Sequence, residues 1–185
     1  MGLRHIGKSG YKGFTIIEMV LVVAVLAVLV VLAIPAFNGL VQGKQLVGQA
    51  TEVTSALTYA RSEAIARATN VVICASDDGA ACSGDNDWST GWIIFVDKNE
   101  NGSIDTLATD LLKKEGAMLG AVSLNADAAS ITFNYQGESE AAGTVSFDLC
   151  AENANEAGLD KNKSRKILVN TVGATSISMG TATCP

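Results

Sequence analysis

The chain has 185 residues, 48% of them hydrophobic and 17% charged, with a mean hydropathy of +0.28, which excludes wholesale disorder and leaves room for one compact domain plus a modest appendage. The formal charge of -6 argues against a generally basic nucleic-acid binder. A single histidine, His5, excludes every scheme that needs paired histidines, HExxH zinc sites included.

The first residues carry Arg4, His5, Lys8 and Lys12 and no acid. From Met19 to Phe37 the chain then reads MVLVVAVLAVLVVLAIPAF, without a charge or a hydrogen-bonding side chain. About 20 helical residues span the hydrocarbon core of a bilayer, so residues 14–37 are expected to cross a membrane. Basic residues ahead of the span predict a cytoplasmic N-terminus and an exported C-terminal part. Glu18 stands out inside this segment, since a carboxylate at the bilayer centre costs about 2.5–3.5 kcal/mol on insertion scales and marks a functional hypothesis.

Over residues 38–68 the pattern becomes amphipathic. Leu40, Leu46, Val47, Ala50, Val53, Leu57, Ala60 and Ala64 recur at spacings of three and four and predict one apolar stripe. The two stretches read as one helix of about 50 residues, bent where Pro35 removes a backbone donor.

Residues 69–185 read as a β-rich head. Candidate strands are Asn70–Cys74, Gly91–Val96, Ile131–Tyr135, Val145–Leu149, Lys166–Asn170 and Ala174–Met179, with weaker signals over Leu111–Met118 and Val122–Leu124. Gly, Asn, Asp and Ser clusters separate them. The expected class is α+β: a long N-terminal helix, half membrane-spanning and half amphipathic, packed on an antiparallel head of one sheet or two small ones.

Two loops raise binding questions. Asp97-Lys-Asn-Glu-Asn-Gly-Ser-Ile-Asp105 looks like the first half of an EF-hand loop, with Asp97, Asn99 and Asn101 as calcium candidates. The bidentate Glu needed at loop position 12 is Ala108, and a strand precedes the loop, so an Asn/Gly-rich connection accounts for these residues without metal. Lys161, Lys163, Arg165 and Lys166 form the one dense basic run of the head. They could meet phosphates, but no aromatic residue interleaves for base stacking, and a solvated turn leading into a strand is the plainer account. Neither a cofactor nor an enzymatic activity is expected.

Four cysteines, Cys74, Cys82, Cys150 and Cys184, would lie in an oxidising compartment, where disulfides are the default. Three connectivities are open; the favoured one joins Cys74 to Cys82 across a short loop and Cys150 to Cys184 across the C-terminal tail. No CxxC pair supports zinc, and a cysteine nucleophile would lack a histidine base.

The string Lys12-Gly-Phe-Thr-Ile-Ile-Glu18 ahead of the apolar run closely resembles the processing site of class III signal peptides, found in type IV pilins and type II secretion pseudopilins. The resemblance implies a leader over residues 1–13, cleavage between Gly13 and Phe14 by prepilin peptidase, and methylation of the new Phe14 amine. It also implies that Glu18 serves assembly by pairing with the Phe14 amine of a neighbouring subunit, a cation partner of the kind a buried carboxylate needs. The mature chain would have 172 residues, no histidine and a charge of -9.

Three further strings resemble the GspH/FimT branch of these proteins: Tyr59-Ala-Arg-Ser-Glu-Ala64 at the helix end, Trp88–Gly102 (WSTGWIIFVDKNENG), and Ile131–Gly137 (ITFNYQG). The Cys150–Cys184 pairing likewise resembles the C-terminal disulfide loop common in pilins. The resemblance implies a minor pilin of a type IV pilus, acting in pilus assembly and initiation by helix packing, with the type II secretion pseudopilin H as the alternative. A DNA-binding minor pilin is a third reading, but the GRxR-type segment of such proteins corresponds here to Gly173-Ala-Thr-Ser176, without either arginine. The partners implied are prepilin peptidase, other major or minor pilins or pseudopilins, and the inner-membrane assembly platform. The chain would start as a single-pass inner-membrane protein with a periplasmic head and then enter a pilus or pseudopilus.

Overall fold

The computed structural model describes residues 13–151, 154 and 163–184, and for residues 32–40 the helical backbone without the side chains. One helix, α1, runs from Ile16 to Arg67 over 52 residues. Among the described residues eight strands follow: β1 (Asn70–Ala75), β2 (Trp92–Asp97), β3 (Leu111–Glu115), β4 (Val122–Ala126), β5 (Ser130–Phe133), β6 (Val145–Ala151), β7 (Ser164–Val169) and β8 (Thr175–Met179). A four-residue helix, α2 (Leu107–Asp110), precedes β3.

The chain divides into residues 1–40 and residues 41–185. In the first unit the described helix is apolar and uncovered all round: Phe14, Ile16 and Ile17 are each at least 79% exposed, and every residue from Gly13 to Val31 is exposed. Among the described residues no helix is long and apolar enough to cross a membrane. The apolar run of the sequence continues into residues 32–37, whose side chains, Pro35 included, are outside the described set, while the backbone stays helical through them.

The second unit has one principal core. Leu46, Ala50, Val53, Ala56, Leu57, Ala60 and Ala64 form the buried stripe of α1. Val47, expected on that stripe, is 48% exposed, and Ala56 takes part instead. A 3.6-residue period places 46, 50, 53, 57, 60 and 64 on one line, and 47 falls off its edge. Two antiparallel sheets meet this stripe in a single cluster, sheet A in the order β3-β2-β1-β5 and sheet B in the order β4-β6-β7-β8.

β1 and β2 are buried along their whole length, which accounts for their unbroken apolar sequences, Val-Val-Ile-Cys and Trp-Ile-Ile-Phe-Val. Val71, Ile73, Trp92 and Ile94 join the core under α1, whereas Val72, Cys74, Ile93 and Phe95 form a second cluster with Cys82, Ile104 and Leu111. The residues after β1 and β2 thus cover the outer face of sheet A. Sheet B shows the alternation of a sheet with one face in the core: Val145, Phe147 and Leu149 are buried while Ser146 and Asp148 are half-buried. Trp88 meets Phe147 edge to face at 5.0 Å, and its indole N–H donates to the Ala128 carbonyl at 3.0 Å. The cysteines are bonded Cys74–Cys82 and Cys150–Cys184.

Candidate assembly site

The start of α1 is built by Thr15. Its hydroxyl accepts the Glu18 backbone N–H at 3.3 Å, and its carbonyl accepts the Met19 N–H at 3.2 Å. Thr15 is therefore the N-cap and Glu18 occupies the third helical position, the Thr-x-x-Glu spacing of a capping box. A carboxylate in the first turn also meets the positive end of the helix dipole. The sequence reading passes over Thr15, although the capping spacing was visible in Thr15-Ile-Ile-Glu18.

Gly13, Phe14 and Thr15 lie outside the helix in backbone without regular structure, and all three are exposed. A Cβ built on Gly13 would meet no atom within 4 Å. Among the described residues nothing demands glycine at this position. Taken together, the first unit offers an accessible, non-helical bond before Phe14, a capped helix start, one carboxylate four residues further on, and a wholly uncovered apolar surface. Apolar surface of that extent marks a partner or a membrane.

The far end of α1 is tied to the head by Tyr59-Ala-Arg-Ser-Glu-Ala64. Ala60 and Ala64 are fully buried, and Arg67 pairs with Glu63 at 2.6 Å. The Arg61 Nε–H donates to the Gly137 carbonyl at 2.8 Å. Gly137 sits at φ +78°, and a Cβ there would come within 2.6 Å of Ile65. Gly173, in the β7–β8 turn, presses on the same arginine. Arg61 thus ties the turn after β5 to the helix, and the β7–β8 turn lies close against both Arg61 and the Gly137 carbonyl.

The loop after β2 uses its polar groups on itself. Asp97 is buried, and its two carboxylate oxygens accept the Asn101 and Gly102 backbone N–H groups at 3.1 and 2.7 Å. The side-chain amides of Asn99 and Asn101 donate to Asp105 at 2.8 and 3.2 Å. Among the described residues no group of His, Cys, Asp and Glu could hold a metal ion. Asp110 accepts from Lys98 at 3.2 Å, and that bond, with those from Thr106 and Thr109, holds its carboxyl below the usual range.

The basic run is divided between settings. Lys161 lies outside the described residues and Lys163 is half-buried just before β7. Arg165 and Lys166 are inside β7, not in a solvated turn. Arg165 is 5% exposed and donates to the Ser164 carbonyl, and Lys166 pairs with Asp148 at 3.2 Å. Strand alternation turns these neighbours to opposite faces of sheet B, so the described part of the run forms no single basic surface.

A family model described as Type II transport protein GspH matches residues 49–173. The prokaryotic N-terminal methylation motif matches residues 8–34 and implies processing by prepilin peptidase and assembly among pilins or pseudopilins. No curated protein matches the chain. Among solved structures, the type IV minor pilin FimU of Pseudomonas aeruginosa strain PAO1 is similar in one crystal form with TM-score 0.57 and 19% identity, covering 75% of this chain and 95% of that one. A second crystal form gives 0.53 and 19%, covering 72% and 95%. The minor pseudopilin EpsH of the type 2 secretion system of Vibrio cholerae gives 0.48 at 9% identity, covering 72% and 95%.

Proposed function

Because the chain belongs to the GspH family, we propose that it is a minor pilin that enters a type IV pilus by packing its N-terminal helix among those of other pilins. The observation that carries this reading is the uncovered apolar start of α1 with Glu18 in its first turn, directly after the exposed Gly13–Phe14 bond. Family membership implies anchoring in the inner membrane before assembly. The orientation proposed, with the leader cytoplasmic and the head periplasmic, follows from the basic residues Arg4, Lys8 and Lys12.

In the proposed mechanism, prepilin peptidase cuts after Gly13 and the Phe14 amine is methylated. Cleavage places a cation at the positive end of the α1 dipole, an unfavourable position for it. A carboxylate relieves that charge, and Glu18 of an adjacent subunit supplies one in surroundings that exclude water. The charge pair sets the register, and the apolar residues from Phe14 onward supply the packing, at about 25 cal/mol for each Å² buried. The head stays outside this core, held to α1 by Arg61 and the alanine stripe.

The family description favours a second reading, a type II secretion pseudopilin with the same assembly step in a different machine. The likeness to FimU supports placing the pilus first. Removal of the chain from its host separates the two. A pilin is expected to leave surface pili reduced and secretion of folded proteins intact; loss of secretion with normal pili would assign the chain to the secretion apparatus.

A further inference from the structure

We infer that β8 is an open docking edge that receives an extended, uncharged segment of about five residues from a different pilin-type subunit, laid between β8 and α1. The inference rests on the reading of the chain as a filament subunit and names the part of the head that meets a neighbour.

A sheet edge left open invites pairing, and proteins blunt the edges they do not use. The other three edges of this head are managed. β3 carries the exposed Lys113 and Lys114 and pairs with β2 through an irregular register at Ile94/Phe95. β4 is covered by residues 86–88, through Trp88 N–H to the Leu124 carbonyl at 2.8 Å and Ala126 N–H to the Asn86 carbonyl at 2.9 Å. β5 is flanked by residues 139–140, through the Phe133–Ser139 bridge and Glu140 N–H to the Thr132 carbonyl at 3.0 Å. Among the described residues β8 has none of these devices. Its sequence, Thr-Ser-Ile-Ser-Met, lacks charge and proline, and among the described residues its one strand partner is β7.

The space beside β8 fits a strand. A groove of about 400 Å³ is lined on the helix side by Thr51, Thr54, Ser55, Thr58, Tyr59 and Ser62, and on the strand side by Ile177. The hydroxyls of Thr51, Thr54 and Thr58 donate to carbonyls one turn back at 2.8 Å, and Ser62 donates to the Tyr59 carbonyl at 2.8 Å. Bonded to their own helix, these four hydroxyls turn the threonine methyls to the groove, beside Ser55 and the Tyr59 ring. Ile177 and Met179, two residues apart on one face of β8, stay 46% and 56% exposed. Among the described residues no charged side chain lines the groove, so a charged group entering it would lose water without gaining an opposite charge, which selects an uncharged segment. From Thr51 to Ser62 the helix rises about 16.5 Å, the length of about five residues of strand.

The strand must come from a different chain. Among the described strands the other edges are blunted, so a second copy would pair β8 to β8, an isologous contact that closes on itself and cannot propagate along a polar filament.

The test places the photo-crosslinker p-benzoylphenylalanine at position 177 of the full chain, in cells assembling the filament, with position 113 on β3 as control. We expect position 177 to capture a different chain that itself begins with a prepilin-type methylation motif, identified by mass spectrometry, with yield ~10-fold above position 113. Adding Met179→Lys should abolish that yield advantage while leaving the melting temperature of the full chain in detergent unchanged. Capture of a second copy, capture of a protein without the motif, or yields equal at the two positions would overturn the inference. If filaments depend on the chain while position 177 captures nothing, the docking edge falls and the filament reading stands. If filaments form normally without the chain, both fall.

Discussion

Ala68 closes α1 in the left-handed region, at φ 50°. The Thr69 N–H reaches the Ala64 carbonyl and the Ala68 N–H reaches the Ile65 carbonyl, both at 3.3 Å, the bonds of a Schellman motif whose αL residue is usually glycine. An alanine there carries about 1 kcal/mol of steric cost, so Ala68→Gly should stabilise the protein by ~0.5–1 kcal/mol in a denaturant titration. Glu52 on α1 provides a pH effect. Burial raises its pKa above the ordinary 4.5, the facing Glu115 carboxylate raises it further, and Lys113 partly offsets both. A carboxyl with a raised folded pKa favours the protonated folded state, so stability is greatest below the unfolded value and falls as pH rises through 4.5 toward the folded value. Glu52→Gln should therefore gain on the parent between about pH 4 and pH 7 in thermal melts. With Glu52 only part-buried, the gain should stay under ~1 kcal/mol.

At the scale of elements, the two disulfides close loops of different length, with sequence separations of 8 and 34. In the chain-entropy account the longer loop stabilises more, ~4 kcal/mol against ~2.5 kcal/mol. Paired Cys→Ser replacement at 150 and 184 should lower the denaturant midpoint more than replacement at 74 and 82; the reverse order would show that native-state packing around Cys74 outweighs loop closure. Most of the described strands were plain in the sequence, from a continuous apolar run, as β1 and β2, or strict alternation, as β5 and β6, whereas β3, Leu-Leu-Lys-Lys-Glu, has neither and gave only a weak signal. The four-residue α2 was not visible, since one turn is too short to show a period. Nor was the burial of Arg165, because its neighbours Lys163 and Lys166 suggest a wet surface and only register with β6 and β8 places it inside. The Asp97 loop reads like a metal site for a related reason. Carboxylates and amides spaced to bind a cation are also spaced to cap a turn, and the backbone N–H groups of Asn101 and Gly102 take the oxygens.

At the scale of the whole molecule, a chain of high hydropathy proves to be two unlike parts. The head buries its apolar residues in a main core under residues 46–64 of α1 and a smaller cluster on the outer face of sheet A, while the described start of the helix buries none. The proposal assigns that uncovered surface to membrane and then filament, with Glu18 as the group that fixes register. The most direct measurement compares the parent chain with Glu18→Ala in its host, following the N-terminal mass of the membrane-bound protein and its amount in sheared filaments. The account predicts that Glu18→Ala is cut after Gly13 and methylated on Phe14, yet falls at least ~10-fold in the filament fraction, as the loss of one buried charge pair would cause. Incorporation of processed Glu18→Ala at the parental level would contradict it.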